Sequence, residues 1–192
     1  FLIGFISICP FLYKRPLGKI KISTVLNIII TSILFYIYNQ CFFIGTDIGN
    51  PGMGGVFVTT TNPVVTFIIV SLINKKINFI QIGSVFLGII GGLFTLNVFK
   101  LGWGSFLFAG NYYFLFCSLS WGIMTIIMSY GQKDIDSIWY VSLCYLLTTL
   151  IALFFIDFKL LISFNYLNVK FIFNFFIVCS AMSFGTSIYI IA

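Results

Sequence analysis

At 192 residues, 60% hydrophobic and 7% charged, the chain has too few charges to cover a water-facing surface, which excludes a soluble globular protein. Apolar runs recur along its whole length, so neither a cleaved secretory signal nor a single anchor on a soluble domain accounts for it. The net charge of +6 does not point to nucleic acid, because Lys14, Arg15, Lys19 and Lys21 lie between two apolar runs, where basic residues act as topology signals.

A helix needs about 20 apolar residues, at ~1.5 Å rise each, to cross a ~30 Å hydrocarbon core. Uncharged windows of that scale mark out the elements in chain order. Phe1 to Tyr13 is too short to span; it begins inside an apolar run without an initiator Met and reads as the tail of a helix cut off upstream. Then come Ile22 to Ile44, Gly55 to Ile73, Phe79 to Phe99, Tyr112 to Tyr130, Ile138 to Ile156 and Phe171 to Ala192. The last ends without a polar terminus, so the expectation is a fragment truncated at both ends.

The connections, "YKRPLGKIK", "GTDIGNPGMG", "NKKIN", "KLGWGSFLFAGN", "GQKDIDS" and "DFKLLISFNYLNVK", carry turn residues or charges and none is long enough to form a domain. Lys and Arg in alternate connections number seven on one side against three on the other, which places the first connection in the cytoplasm. Trp103, Tyr112, Tyr113, Trp139 and Tyr140 lie near the expected interfaces, serving there as amphipathic rings or else as core aromatics. Cys9, Cys41, Cys117, Cys144 and Cys179 are scattered singly through apolar segments and read as small packing residues rather than a metal site or disulfide framework.

Sliding Asn27 onto Asn174 aligns "NIIITSILFYIYNQCFFI" with "NFFIVCSAMSFGTSIYII" without a gap. The two stretches are separated by an odd number of helix starts, so the copies would run in opposite directions, as in inverted-repeat transporters.

The stretch "GGVFVTTTNPVVTF", Gly54 to Phe67, sets hydroxyls, an amide and a proline inside a span. Gly55, Thr59, Asn62 and Thr66 share one helix face, with Thr60, Thr61 and Pro63 beside it. Pro63 has no N–H for the Thr59 carbonyl, so a backbone acceptor is released within the cluster. Two readings stand side by side: the hydroxyls bond back to their own helix or a neighbour, or the face lines a solvated cavity. Tyr36 and Asn39, with Gln40, near the end of the 22–44 segment, and Trp121, with Ser118 and Ser120, in "FCSLSWGIM", are further candidates for the same cavity wall. Ser84, Gly88 and Gly92 recur every four residues, a small-residue stripe for helix packing in a bundle or a homodimer.

The chain contains no histidine, and Asp47, Asp134, Asp136 and Asp157 all fall in connections or at a helix end. No nucleophile–base pair or ligand cluster is therefore placed within a span, and the expectation is no enzyme, no metal and no cofactor. No acid stands in mid-membrane to carry proton coupling either.

The residues "GGVFVTTTNPVVTFIIVSLINKKINFIQIGSVFLGIIGGLFTL" resemble the drug/metabolite transporter superfamily, specifically the EamA-type permeases. They look like that family's helix with a mid-membrane proline, a short polar turn and a glycine helix closing the first repeat, with the match on Pro63, Gln81, Gly83, Gly88 and Gly91. "LFCSLSWGIMTIIM", with Ser120, Trp121 and Gly122, is similar to the opening helix of the second repeat. The resemblance implies an all-α polytopic fold of two inverted five-helix repeats with both termini cytoplasmic. On that ten-helix plan residues 1–99 run from the end of helix two through helix five, 100–110 connect the repeats, and 111–192 hold helices six to eight. Helices nine and ten are then lacking, and the fragment alone is not expected to transport.

The implied function is export of a small organic metabolite, an amino acid or amphiphilic compound, across the inner membrane by alternating access, with Thr59, Thr60, Asn62, Pro63, Tyr36, Asn39 and Trp121 walling the substrate cavity. The expected partners are that solute and the lipid bilayer, without nucleic acid. One departure is that the turn "NKKIN" lacks the acidic residue such turns usually carry. The alternatives are a non-transporting membrane scaffold or a decayed gene fragment.

Overall fold

A computed structural model describes residues 1–49, 51–74, 79–95, 109–157, 159 and 168–191. Among them the chain is all-helical: α1 (Leu2–Ile8), followed by a 3-10 turn (Cys9–Leu12), then α2 (Ile22–Ile48), α3 (Pro51–Asn74), α4 (Phe79–Thr95), α5 (Ala109–Gly131), α6 (Ser137–Phe154) and α7 (Val169–Ile191). Four of these, over Ile22–Ile48, Gly54–Ile73, Asn111–Gly131 and Ser137–Phe154, are long and apolar enough to cross a membrane. Residues 96–99 of the expected fourth span, Trp103, and the 100–108 stretch of the connecting loop lie outside the described residues.

The boundaries between α2 and α3 depart most from expectation, α2 running four residues longer to Ile48 and α3 starting four residues earlier at Pro51. The segment "GTDI" has the composition of a connection, yet α2 continues through it to Ile48. Packing decides this: Gly45 is buried against Phe114, so close that a Cβ would stand 2.8 Å from the ring. The Thr46 hydroxyl donates to the Phe43 carbonyl at 2.8 Å, which keeps a polar side chain satisfied on the helix itself. Proline then opens α3 at its first residue, where the missing N–H is harmless.

The described chain divides into two compact units, residues 1–33 with 128–192, and residues 34–127. In the first, α1 packs on α6 and α7, and α6 on α7. The core is Ile8, Ile28, Tyr140, Val141, Cys144 and Tyr145, all buried. Tyr140, read as an interfacial or core ring, is a core residue: it is fully enclosed and its hydroxyl shares a 2.8 Å hydrogen bond with Thr31. Buried hydroxyls knit α2 to α6, with Ser32 donating to the Cys144 carbonyl and Thr148 to the Ser32 carbonyl, each at 3.3 Å. Tyr145 donates to the Ser183 carbonyl at 3.1 Å.

The same unit holds a clamp between two connections. Arg15 pairs with Asp136 at 3.2 Å, and Lys21 pairs with Asp134. Thr24 donates to the second oxygen of Asp134 at 3.0 Å, and the Trp139 indole N–H to the Arg15 carbonyl at 3.1 Å. Lys19 N–H donates to the Asp134 carbonyl at 3.2 Å beside an isolated bridge between Gly18 and Ile135. Gly18 has φ +84°, and a Cβ there would stand 2.6 Å from the Asp134 carbonyl oxygen, so glycine is required twice over. Asp136 also caps α6, accepting from Ile138 N–H at 2.9 Å. The Lys21 ammonium and the Thr24 hydroxyl hold the Asp134 carboxyl below its ordinary range.

In the second unit α3 packs on α4. The end of α2, α3 and α5 meet around Phe114, which is fully buried and whose ring lies between Gly45 and Gly54. Small residues recur at the contacts because lipid offers helices no hydrophobic drive to associate, so close backbone approach and dispersion must hold them.

Candidate functional site: the proline turn of the third helix

The polar stretch of α3 is arranged turn by turn. Thr59 is exposed, and its hydroxyl reaches the Gly55 and Val56 carbonyls at 2.9 and 3.1 Å. Thr60, half-buried, reaches the Val56 and Phe57 carbonyls at 2.9 and 3.0 Å. Thr61 reaches the Phe57 carbonyl at 2.7 Å and also shares a hydrogen bond with Ser118 of α5. Hydroxyl hydrogens are thus used within the helix, but each oxygen keeps lone pairs that accept.

Asn62 is different. Its Oδ1 is enclosed and has no hydrogen-bond partner among the described residues, while its side chain lies near the Tyr38 hydroxyl of α2. Turned round, the amide would offer Oδ1 to the Tyr38 hydroxyl and leave an N–H₂ donor over, so the acceptor character of this turn belongs to the amide as it is set here. A hydroxyl in mid-helix can always donate to a carbonyl one turn back. An amide oxygen cannot be satisfied that way, since every N–H of the ladder is already engaged. The comparison with Asn39 makes the point: its Nδ2 donates to the Phe35 carbonyl of its own helix at 2.9 Å. One residue beyond Asn62, Pro63 has no N–H to give the Thr59 carbonyl. This turn is therefore rich in acceptors and poor in donors.

Aromatic rings gather where α2, α3 and α5 meet. Tyr38 lies 5.1 Å from Trp121, centroid to centroid, at 49°. Phe42 and Phe57 lie 5.9 and 6.2 Å from Phe114. Cys117 donates its thiol hydrogen to the Tyr38 carbonyl at 3.3 Å. An added Cβ at Gly122 would stand 3.1 Å from Val65 and 3.0 Å from Ile69, which brings α5 against the half of α3 beyond the proline.

The structure thus brings Asn62 and Trp121 to Tyr38, and sets Asn39 beside it on α2. Tyr36 is half-buried and Pro63 exposed. The face drawn through Gly55, Thr59, Asn62 and Thr66 is open at one end and covered at the other: nothing lies within 4 Å of a Cβ at Gly55, whereas Thr66 N–H faces Gly122. On α4, Gly92 packs on Thr60, at 3.0 Å from its Cβ for an added Cβ. Gly88 meets nothing within 4 Å, and Ser84 is exposed and bonds back to Ile80. Tyr38 itself was missed. The signal was present, since Phe35, Tyr38, Phe42 and Gly45 share one helix face and Tyr38 falls among the apolar positions of that stripe.

No metal-holding group of His, Cys, Asp or Glu occurs among the described residues. No family model matches the chain, and neither a curated protein nor a solved structure matches it.

Proposed function

We propose that the chain is part of a multi-pass carrier of the EamA-type drug/metabolite transporter class, moving a small organic solute across the inner membrane by alternating access. The observation that carries this reading is the enclosed Oδ1 of Asn62, without a partner among the described residues. An orphan acceptor costs about 1–3 kcal/mol, a cost a purely structural helix has no reason to retain when leucine would fit an apolar seam. A solute bearing an N–H or O–H would satisfy it, and the rings of Tyr38 and Trp121 offer apolar surface to the rest of such a molecule. Amino acids and amphiphilic compounds have that chemistry.

The clamp supports the topology this reading needs. Counting charges puts the 13–21 and 131–137 connections on one side, and the Arg15–Asp136 and Lys21–Asp134 pairs tie those two connections together. The four helices between them, α2 to α5, are an even number, as a return to the same side requires. Inverted repeats belong to the same proposal, resting on the Asn27 and Asn174 alignment.

Leucine at Asn62 and alanine at Thr59 and Trp121, one at a time in the full-length protein, are expected to change uptake or efflux in vesicles while insertion is kept. Unchanged flux in all three variants would remove the carrier reading, and absence of saturable flux in the parent would favour a scaffold.

A further inference from the structure

Between α1 with its 3-10 turn, α6 and α7 lies a slot of about 260 Å³ lined by Ser7, Ile8, Phe11, Ile138, Phe184 and Ile188. Ser7 offers it little polarity, because its hydroxyl donates to the Ile3 carbonyl at 2.7 Å. Ser183, buried on α7, brings the other hydroxyl to its wall; the rest of the described lining is apolar and uncharged.

A basic connection continues from the slot wall. Lys14 follows Phe11 by three residues, a reach of at most ~10 Å. Arg15 is fixed on Asp136, which caps α6 two residues before Ile138 of the slot wall. The two aspartates of this end are both engaged, by Arg15 and Lys21. Lys14, Lys19 and Lys133 have no carboxylate partner among the described residues. Two of these ammonium groups rest on rings instead, Lys14 over Tyr13 at 5.3 Å and Lys133 over Tyr130 at 4.6 Å. An apolar cleft opening beside unpaired cations matches one kind of molecule: an apolar chain ending in a fixed negative charge.

We propose that the slot binds one acyl chain of an anionic phospholipid whose phosphate sits against Lys14, with Lys19 adding to the local positive field. A zwitterionic lipid would gain the slot without the field, and a soluble phosphate the field without the slot. The proposal needs the helices to lie in a bilayer, but does not depend on the chain being a carrier. Lysines near a membrane surface each favour anionic lipid by about 1 kcal/mol, or roughly fivefold.

The test uses the full-length protein in nanodiscs with phosphatidylglycerol carrying a diazirine in its acyl chain, against a matched phosphatidylcholine probe, with cross-linked residues mapped by mass spectrometry. The phosphatidylglycerol probe is expected to label residues 7–11 and 184–188 severalfold more than the phosphatidylcholine probe. Lys14→Gln should lower that labelling about fivefold, the Lys14→Gln/Lys19→Gln pair should lower it further, and soluble glycerophosphate should not compete. Equal labelling by both headgroups, or labelling unmoved by the paired substitution, would overturn the proposal. So would absence of label from both stretches, the result expected if another segment of protein fills the slot. The lysines are exposed and outside the spans, and because both count toward the basic excess that orients the chain, the orientation of each variant is verified by protease accessibility before labelling, the pair leaving five basic residues against three.

Discussion

The two units of the chain both place polar side chains between apolar helices, but they close their hydrogen bonds differently. In the first, Thr31 meets Tyr140, and Ser32 and Thr148 donate across to carbonyls of the facing helix. Its one enclosed hydroxyl without a partner among the described residues, Ser142, needs only a rotamer change to reach its own helix. In the second, the Asn62 oxygen has no such resort, and a proline beside it withholds a further donor. The contrast is between hydroxyls that knit helices, Thr61 with Ser118 in the second unit among them, and one amide oxygen left without a partner among the described residues.

The largest effect should come from breaking the second unit at its packing centre. Phe114→Ala empties a fully buried site between Gly45 and Gly54 and is expected to cost about 3–5 kcal/mol, read by unfolding in detergent. The contrast itself is sharpened by a matched pair. Tyr140→Phe should destabilise by about 1 kcal/mol through the lost Thr31 bond, whereas Asn62→Leu should be neutral or stabilising by about the same amount while impairing flux. If both variants lose stability alike, Asn62 is ordinary packing polarity.

A smaller, conditional effect belongs to the clamp. The folded-state pKa of Asp134 is depressed, so its contribution is present above the ordinary carboxylate range and is lost as pH falls through the lower folded value. Asp134→Asn should remove that acid-limb sensitivity from the stability profile, and an unchanged profile would show that the pair holds no weight. Smallest of all, Gly88→Leu should change stability by less than about 0.5 kcal/mol, because nothing among the described residues stands within 4 Å of a Cβ at Gly88. A large loss would reveal a partner on that face of α4.

Much of the helical plan was legible in the sequence because uncharged length is a direct physical requirement of the bilayer. The start of α2 at Ile22 falls where hydropathy places it, and the end of α5 at Gly131 and the start of α6 at Ser137 each fall within one residue of it. The extension of α2 through Gly45 was not legible, since a glycine reads as a break until the ring that needs its missing side chain is known. The polar face of α3 was legible as a periodicity. Which of its members is unsatisfied was not, because that depends on Tyr38 arriving from another helix. Tyr140 stood one residue from Trp139 in sequence and served an opposite purpose, the indole reaching a connection while the phenol entered the core.

The most direct test asks whether water reaches the proline turn. In a cysteine-free background of the full-length protein, Thr59→Cys and Asn62→Cys are exposed to a membrane-impermeant thiol reagent from each side of the membrane. The carrier reading predicts modification at both positions from at least one side, with solute protecting Asn62→Cys. Failure of the reagent to modify either position from either side, in correctly inserted protein, would contradict it.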